Sequence, residues 1–150
     1  MSDDIVNMIQ KITVLNKLSK KELKNISGYL DCIEINKDAN IFFEGGPGEF
    51  VCFVVEGTLD ITKKSFKGNE IGIATLSQGD SIGEMALIDE MNRSATVTAR
   101  TDSKLLILTK DKFDRLVEES PIIGVEILKG IAKTLSLHLR RTLNNLSIEN

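Results

Sequence analysis

Hydrophobic and polar positions change their period twice along the chain. Near the N-terminus the apolar residues recur at the spacing of one helix face, namely Ile5, Val6, Met8, Ile9 and Ile12. Ser19-Lys20-Lys21-Glu22 reads as a capping box, because the serine accepts from a backbone N–H and the glutamate reaches back. The pattern therefore predicts helices over residues 1–30.

From residue 31 the apolar positions alternate or form short runs rich in aromatic and β-branched residues, which is typical of strands. The predicted strands are 32–35, 41–43, 50–55, 58–62, 95–101 and 104–109. Glycine-containing turns separate them, as in 45–48, 56–57, 67–69 and 79–80. Many short strands at this spacing predict an antiparallel closed sandwich or barrel over 31–109, rather than a parallel sheet.

The helical period returns at residue 110. Thr109 is a plausible N-cap for a helix with the apolar stripe Phe113, Leu116 and Val117, and Pro121 begins a second helix. In that helix a leucine row steps by four, three, four and seven residues: Leu128, Ala132, Leu135, Leu139 and Leu146. We expect two C-terminal helices over 110–147, with this row packing on another helix or on the barrel.

Composition narrows the function classes. The 150 residues fit one domain, and a net charge of −3 disfavours direct nucleic-acid binding. Cys32 and Cys52 are too few for a disulfide scaffold and are expected to be small buried hydrophobes, while His138 is the single histidine. We see no signal peptide, no bilayer-spanning run and no nucleophile–base pair. The expectation is a cytoplasmic binding module without a metal or cofactor, rather than an enzyme.

The stretch 79–97 carries the candidate chemistry. Gly79 and Gly83 allow tight turns, and a short helical turn after Gly83 would present backbone N–H groups to an anion. The Arg93 fork suits a phosphate, and Ser94 adds a hydroxyl. Glu84 only accepts, so it suits a sugar hydroxyl, or it could hold Arg93 in place. A surface ion pair with plain turn glycines is the simpler alternative, but the combination favours a cyclic ribose phosphate.

This stretch resembles the phosphate-binding cassette of the cyclic nucleotide-binding domain family. The matching segments are Gly79-Asp80, Gly83-Glu84-Met85-Ala86-Leu87 and Arg93-Ser94-Ala95-Thr96-Val97. The segments 41–49 and 54–57 and the two C-terminal helices are also similar to the family. The resemblance implies a mainly β fold with flanking helices. Its centre would be an antiparallel β-roll or jelly-roll barrel of the cupin-like double-stranded β-helix type, between N-terminal helices and two C-terminal helices.

The resemblance also implies roles for individual residues. Glu84 would accept from the ribose 2′-hydroxyl, Arg93 would pair with the cyclic phosphate, and backbone amides near Ala86 would complete the cradle together with Ser94, while Gly83 would allow close approach. The implied ligand-binding set is Gly83, Glu84, Met85, Ala86, Arg93, Ser94 and Ala95. Base contacts are expected from His138, Arg141 or Thr142, with Leu139 as an apolar cover.

Two positions qualify the resemblance. Asn92 stands where many members of the family have proline, which leaves the loop before the arginine less constrained. Ser94 stands where threonine is linked to cGMP and alanine to cAMP in the family, and serine leans towards cAMP, with cGMP open as the other ligand.

The expected function is a regulatory cyclic nucleotide-binding module whose C-terminal helices move when the cassette tightens. Leu87 or Met85 would transmit this movement by packing against Phe113 or Leu116. No recognition helix or basic patch follows, so we expect a protein partner or an attached domain to respond, and a complete small protein and an N-terminal fragment both remain open. The last helix could also form a homodimer.

The same fold class is compatible with other functions. The alternative to the regulatory module is a structural or protein-interaction domain that works without nucleotide. A redox or gas sensor and a cupin-like enzyme would need cysteine, histidine or carboxylate clusters that the sequence lacks.

Overall fold

The computed structural model describes residues 2–89 and 91–149 of the chain. The α-helices are α1 (Ser2–Ile9), α2 (Lys20–Ile26), α3 (Lys110–Glu119) and α4 (Pro121–Glu149), and 3₁₀ turns cover Thr13–Leu15, Ser27–Tyr29 and Glu84–Leu87. The strands are β1 (Asp31–Ile35), β2 (Asn40–Phe42), β3 (Phe50–Glu56), β4 (Leu59–Lys64), β5 (Glu70–Leu76), β6 (Ser81–Ile82), β7 (Thr96–Ala99) and β8 (Ser103–Thr109). All six predicted strands overlap strands of the structure.

The strands form two antiparallel four-stranded sheets, with the orders β1-β8-β3-β6 and β2-β7-β4-β5. The predicted fold class, an antiparallel β-roll with flanking helices, is confirmed. The expectation of a closed barrel is wrong, because the two sheets remain separate ladders. The edge strands β2 and β6 have only three and two residues, too few to carry hydrogen-bond pairing from one sheet to the other.

The predicted helix starts are confirmed. The Ser19 hydroxyl accepts from the backbone N–H of Glu22 at 3.2 Å, and the Glu22 carboxylate accepts from the Ser19 N–H at 3.0 Å. Thr109 caps α3 by accepting from the Lys112 N–H at 3.2 Å. Pro121 is the first residue of α4. Local hydrogen bonds therefore fix where these helices begin.

Strand β3 is buried on both faces, and this divides the core in two. Val51, Phe53 and Val55 pack with the helices, whereas Cys52 and Val54 belong to a second cluster between the sheets. This explains the continuous apolar run of β3, since neither face is available to solvent.

The two cysteines differ in environment. Cys52 is fully buried in the cluster between the sheets, whereas Cys32 on β1 is exposed. The expectation that both are buried is therefore wrong for Cys32, because β1 is an edge strand that pairs with β8 alone within the described pairings. Burial in the inter-sheet cluster is thus specific to the cysteine on the central strand.

Helix α4 packs on the core through its first half. Its buried hydrophobic side chains are Ile123, Ile127 and Ile131, and Gly130 lies so close to the Val14 carbonyl that a Cβ atom there would overlap it. The leucine row is not this contact face: only Leu135 packs against the core, and the other four members are exposed. Packing of the row on the sheets is therefore wrong, and its packing on another helix stays a prediction.

Within the described residues, no helix combines the length and the hydrophobicity that crossing a bilayer requires.

Candidate ligand-binding site

A cavity of about 1020 Å³ lies among the cassette, strand β5 and helix α4. Its size is at the upper end of the range for small-molecule sites. All ten residues predicted to bind ligand line it: Gly83, Glu84, Met85, Ala86, Arg93, Ser94, Ala95, His138, Arg141 and Thr142. Leu139, the predicted cover, is not among the lining residues, whereas Leu135 and Leu137 are. The fold therefore gathers the predicted set at one place, and its contact with ligand stays a prediction.

Gly83 connects strand β6 to the 3₁₀ turn Glu84–Leu87, which we call the cassette turn. Its φ of +86° is a left-handed conformation that suits glycine. The Arg93 guanidinium packs directly on Gly83, and a Cβ atom there would overlap Nη1. The backbone of Arg93 is also fixed, because its N–H donates to the Gly46 carbonyl at 2.8 Å and its carbonyl accepts from the Gly45 N–H at 2.8 Å. The arginine is therefore anchored at both ends.

The Arg93 side chain is only 7% exposed. Nη2 donates to the Phe50 carbonyl at 2.6 Å, and Cζ lies 4.0 Å from the centre of the Phe42 ring and 4.7 Å from that of Phe50. Nε is buried, and none of the described residues is its hydrogen-bond partner. Among the described residues no carboxylate oxygen lies within 4.0 Å of the guanidinium. The site therefore holds a buried cation with an unused donor.

Burial lowers the pKa of Arg93, while Cys52 and Glu49 act in the opposite direction. A guanidinium nevertheless stays protonated in proteins. The positive charge at this point of the cavity is therefore permanent, which suits an anion that must be bound at any physiological pH.

Glu84 is 6% exposed and accepts a short hydrogen bond from the Ser81 hydroxyl. It forms no ion pair with Arg93 within the described residues, so the alternative that it holds Arg93 in place is not what the structure shows. Ser81 is a site residue that the sequence interpretation missed. Its i, i+3 spacing to Glu84 was the available signal, because such residues become neighbours when the chain turns.

The cassette turn has one exposed and one buried side. The Ala86 N–H already donates to the Gly83 carbonyl at 3.0 Å, so the amides of Glu84 and Met85 are those left at the start of the turn. Met85 is 51% exposed, whereas Leu87 is buried in the cluster that contains Phe113 and Leu116. Of the two residues expected to link the cassette to α3, Leu87 therefore makes the core contact.

The α4 side of the cavity is polar and exposed. His138, Arg141 and Thr142 line it, and the Thr142 hydroxyl donates to the His138 carbonyl at 3.0 Å. Ser94 also lines the cavity and is exposed, and its carbonyl accepts from Lys63 Nζ at 2.9 Å. The cavity thus has a buried charged floor and a solvated polar rim.

The part of the chain that the structure describes contains no candidate metal site. No three histidine, cysteine, aspartate or glutamate side chains come together there in a group that could hold a metal ion.

Comparison with known protein families identifies the family of this chain. The model of the cyclic nucleotide-binding domain matches residues 32–120. The chain belongs to the cyclic nucleotide-binding domain family. This match runs from β1 to the end of α3 and includes the whole cassette, so the resemblance read from the motif is confirmed.

Three similar proteins share between 24% and 34% sequence identity with this cyclic nucleotide-binding domain. The regulatory subunit of the cAMP-dependent protein kinase of Yarrowia lipolytica is 34% identical over 73% of this chain and 28% of its own length. The catabolite activator protein of Thermus thermophilus is 26% identical, with a TM-score of 0.81 over 91% of this chain and 62% of that one. A cyclic nucleotide-binding domain of Methylobacillus flagellatus KT, 24% identical, shares the fold with a TM-score of 0.86 over 99% of this chain and 84% of its own.

The chain spans about a quarter of the length of the curated relatives that it matches first. What the family assignment gives is a cyclic nucleotide-binding regulatory domain. The ligand's base, the output and the partner are separate questions.

Proposed function

We propose that this domain binds cAMP in the cavity and passes binding on through its C-terminal helices. The observation that carries the proposal is the buried Arg93, whose Nε has no hydrogen-bond partner among the residues that the structure describes. A buried donor without an acceptor costs free energy, and an ionised one costs more. A cyclic phosphate supplies both the acceptor oxygens and the single negative charge that this position lacks.

The remaining site residues suit the rest of the ligand. Glu84, held by Ser81, would accept from the ribose 2′-hydroxyl, while the amides of Glu84 and Met85 would face the phosphate. Ser94 would add a hydroxyl at the rim. Charge-assisted contacts of this kind contribute about 1.5–3 kcal/mol each. Together these groups distinguish a cyclic ribose phosphate from a free anion.

The choice of cAMP over cGMP rests on Ser94 and on the relatives. Serine at this position leans towards cAMP in the family, and the Yarrowia relative is named as a cAMP-dependent regulatory subunit. His138, Arg141 and Thr142 would face the purine from α4. These three side chains are exposed in the ligand-free structure. We therefore expect them to discriminate only weakly between adenine and guanine.

Relay to the helices would pass through Leu87. Its side chain shares a core cluster with Phe113 and Leu116 of α3, so a shift of the cassette turn would change helix packing directly. Such a shift needs a ligand that prefers one of two helix arrangements. An NMR titration with cAMP should therefore move amide signals of α3 and α4, and shifts confined to the strands would contradict the relay.

Isothermal titration with cAMP and with cGMP tests the binding itself. Arg93→Ala should weaken cAMP binding by about 2–5 kcal/mol, because it removes a buried charged partner. Arg100→Ala is the matched control, since Arg100 is exposed, pairs with Asp60 at 2.6 Å and does not line the cavity. If the wild-type domain binds neither nucleotide at millimolar concentration, the alternative of a nucleotide-independent interaction domain replaces this proposal.

The output of the domain is proposed at a coarser level. A protein partner or an attached domain would receive the signal, and the exposed members of the leucine row on α4 are where a homodimer could form. We propose a binding role rather than catalysis, since the cavity chemistry is explained by ligand contacts alone.

A further inference from the structure

We propose that Phe42 and Phe50 position Arg93 for the anion, with their ring faces taking the place of a carboxylate counterion. This inference deepens the proposed function and rests on it for the identity of the anion. The positioning itself is a property of the ligand-free protein and can be measured without a nucleotide.

The two rings reach the guanidinium from different sheets. Phe42 ends β2, and Phe50 begins β3. The Arg93 Cζ lies 4.0 and 4.7 Å from the two ring centres, well within the distance of about 6 Å over which a ring face attracts a cation. The rings themselves are 6.1 Å apart with 72° between their planes, so they form a corner around the charge.

Ring faces hold a guanidinium without using its hydrogen bonds. A carboxylate would engage two donors at once in a fork, and the incoming phosphate would have to displace it. A ring has no acceptor of that kind. Within the described residues, Nη2 donates to the Phe50 carbonyl at 2.6 Å and Nε has no hydrogen-bond partner. The arrangement therefore stabilises the cation without occupying Nε.

Burial makes the rings more important. The Arg93 side chain is 7% exposed, and the attraction between a cation and a ring grows when water is excluded. A long arginine side chain also loses rotamer freedom when it is fixed. Because the rings fix it before the ligand arrives, that loss is not part of the binding step.

The first measurement uses the ligand-free protein and the NMR signals of the Arg93 guanidinium, assigned by their absence in Arg93→Lys. We expect ring-current shifts in the wild type that Phe42→Leu reduces. Phe43→Leu is the matched control, because Phe43 is the next residue and is 60% exposed. Arg93 signals at the position of a solvated arginine in the wild type would overturn the proposal.

The second measurement is the affinity for cAMP. Phe42→Leu should weaken it roughly 2- to 30-fold, which corresponds to the range known for cation–ring attraction. Phe42→Tyr, which keeps the ring face, should bind within about twofold of the wild type. Pentafluorophenylalanine at position 42 keeps the shape but reverses the ring's charge distribution, so it should weaken cAMP binding at least as much as Phe42→Leu does. Equal affinity of the pentafluoro and wild-type proteins would overturn the proposal even if Phe42→Leu fails to fold.

The two proposals fail differently. Ring-current shifts on Arg93 in a wild-type protein that binds neither cAMP nor cGMP would support the positioning and reject the nucleotide. Nucleotide binding that is lost in Arg93→Ala but unaffected at position 42 would support the function and reject the positioning.

Discussion

The guanidinium of Arg93 rests against the backbone of Gly83, so closely that a Cβ atom at position 83 would overlap Nη1. The glycine has a second requirement, since its φ of +86° is one that side chains rarely adopt. The two requirements can be separated experimentally, because other glycines in the chain have the conformation without the contact.

Gly83→Ala should weaken cAMP binding at least about tenfold, because the displaced arginine loses a charge-assisted contact with the phosphate. It should also lower the free energy of unfolding by about 1–2 kcal/mol through backbone strain. Gly68→Ala is the control, since Gly68 has a φ of +85° and no atom within 4 Å of the Cβ position. It should show the stability loss with unchanged affinity in calorimetry and urea denaturation. Equal affinity of both variants would contradict the steric role.

The role of Glu84 can be tested by changing the ligand as well as the protein. Wild-type protein should bind 2′-deoxy-cAMP about 10- to 100-fold more weakly than cAMP, the equivalent of one charge-assisted hydrogen bond. Glu84→Gln should narrow the difference between the two ligands, because its amide oxygen still accepts a hydrogen bond from the 2′-hydroxyl but carries no charge. Glu34→Gln, on the exposed face of β1, should preserve the difference. Calorimetry that finds no preference in the wild type would reject the ribose contact.

We expect Leu87 both to stabilise the fold and to transmit ligand binding from the cassette to α3. Leu87→Ala removes a side chain that is 4% exposed and should lower the free energy of unfolding by about 2–4 kcal/mol. In the same variant, cAMP should still shift amide signals of the cassette but shift those of α3 less than in the wild type. Ile88→Ala serves as the control, because Ile88 is 57% exposed and should change stability by less than about 0.5 kcal/mol. Undiminished shifts in α3 would mean that the signal takes another path.

Because the Cys52 thiol is buried, the folded state should become less stable as the pH rises into the alkaline range. Burial raises the pKa of its thiol to about 12, from an ordinary value of 9.0. The unfolded chain therefore releases this proton first, so the contribution to stability is complete below pH 9 and declines as pH rises towards 12. Between pH 9 and pH 10 the loss is about 1 kcal/mol.

Urea denaturation of wild-type and Cys52→Ala proteins at pH 8, 9 and 10 measures this contribution. The difference in unfolding free energy between the two should shrink as pH rises. The exposed Cys32 provides the control, and Cys32→Ala should run parallel to the wild type. A constant difference between wild type and Cys52→Ala would show that the thiol is not shielded in the folded state.

Local signals in the sequence predicted the fold well where one side of an element is buried. Ser19, Thr109 and Pro121 marked helix starts because capping depends on neighbours along the chain. Strand β5 was missed because six of its seven residues are exposed, so no buried face imposed an alternation. The leucine row was assigned to the wrong contact because Ile123, Ile127 and Ile131 form a second apolar stripe on the same helix. Which stripe meets the core depends on the contact of Gly130 with Val14, which lies far away in sequence.

The site was predictable to the extent that its residues lie in one continuous motif. Glu84 and Arg93 were named from their spacing, and the structure places both on the same cavity. The contact of Arg93 with the rings of Phe42 and Phe50 was not predicted from the sequence. The two rings come from strands that precede the cassette, and they meet Arg93 only after the sheets assemble. Nothing in the spacing of an arginine and a phenylalanine 43 residues apart predicts such contact.

Helix α4 has 29 residues, but among the described residues its last buried side chain is Ile131 and its last core contact is the partly buried Leu135. From Gly130, where the helix touches the Val14 carbonyl, the remainder extends about 28 Å at 1.5 Å per residue. In the proposed relay, the helix would act as a rigid arm that pivots at Gly130, beside the cavity. A tilt of about 10° at Gly130 would move the far end by about 5 Å, by the same helix geometry. Adjustments of a fraction of an ångström around the ligand would be amplified to a displacement that a neighbouring molecule can detect.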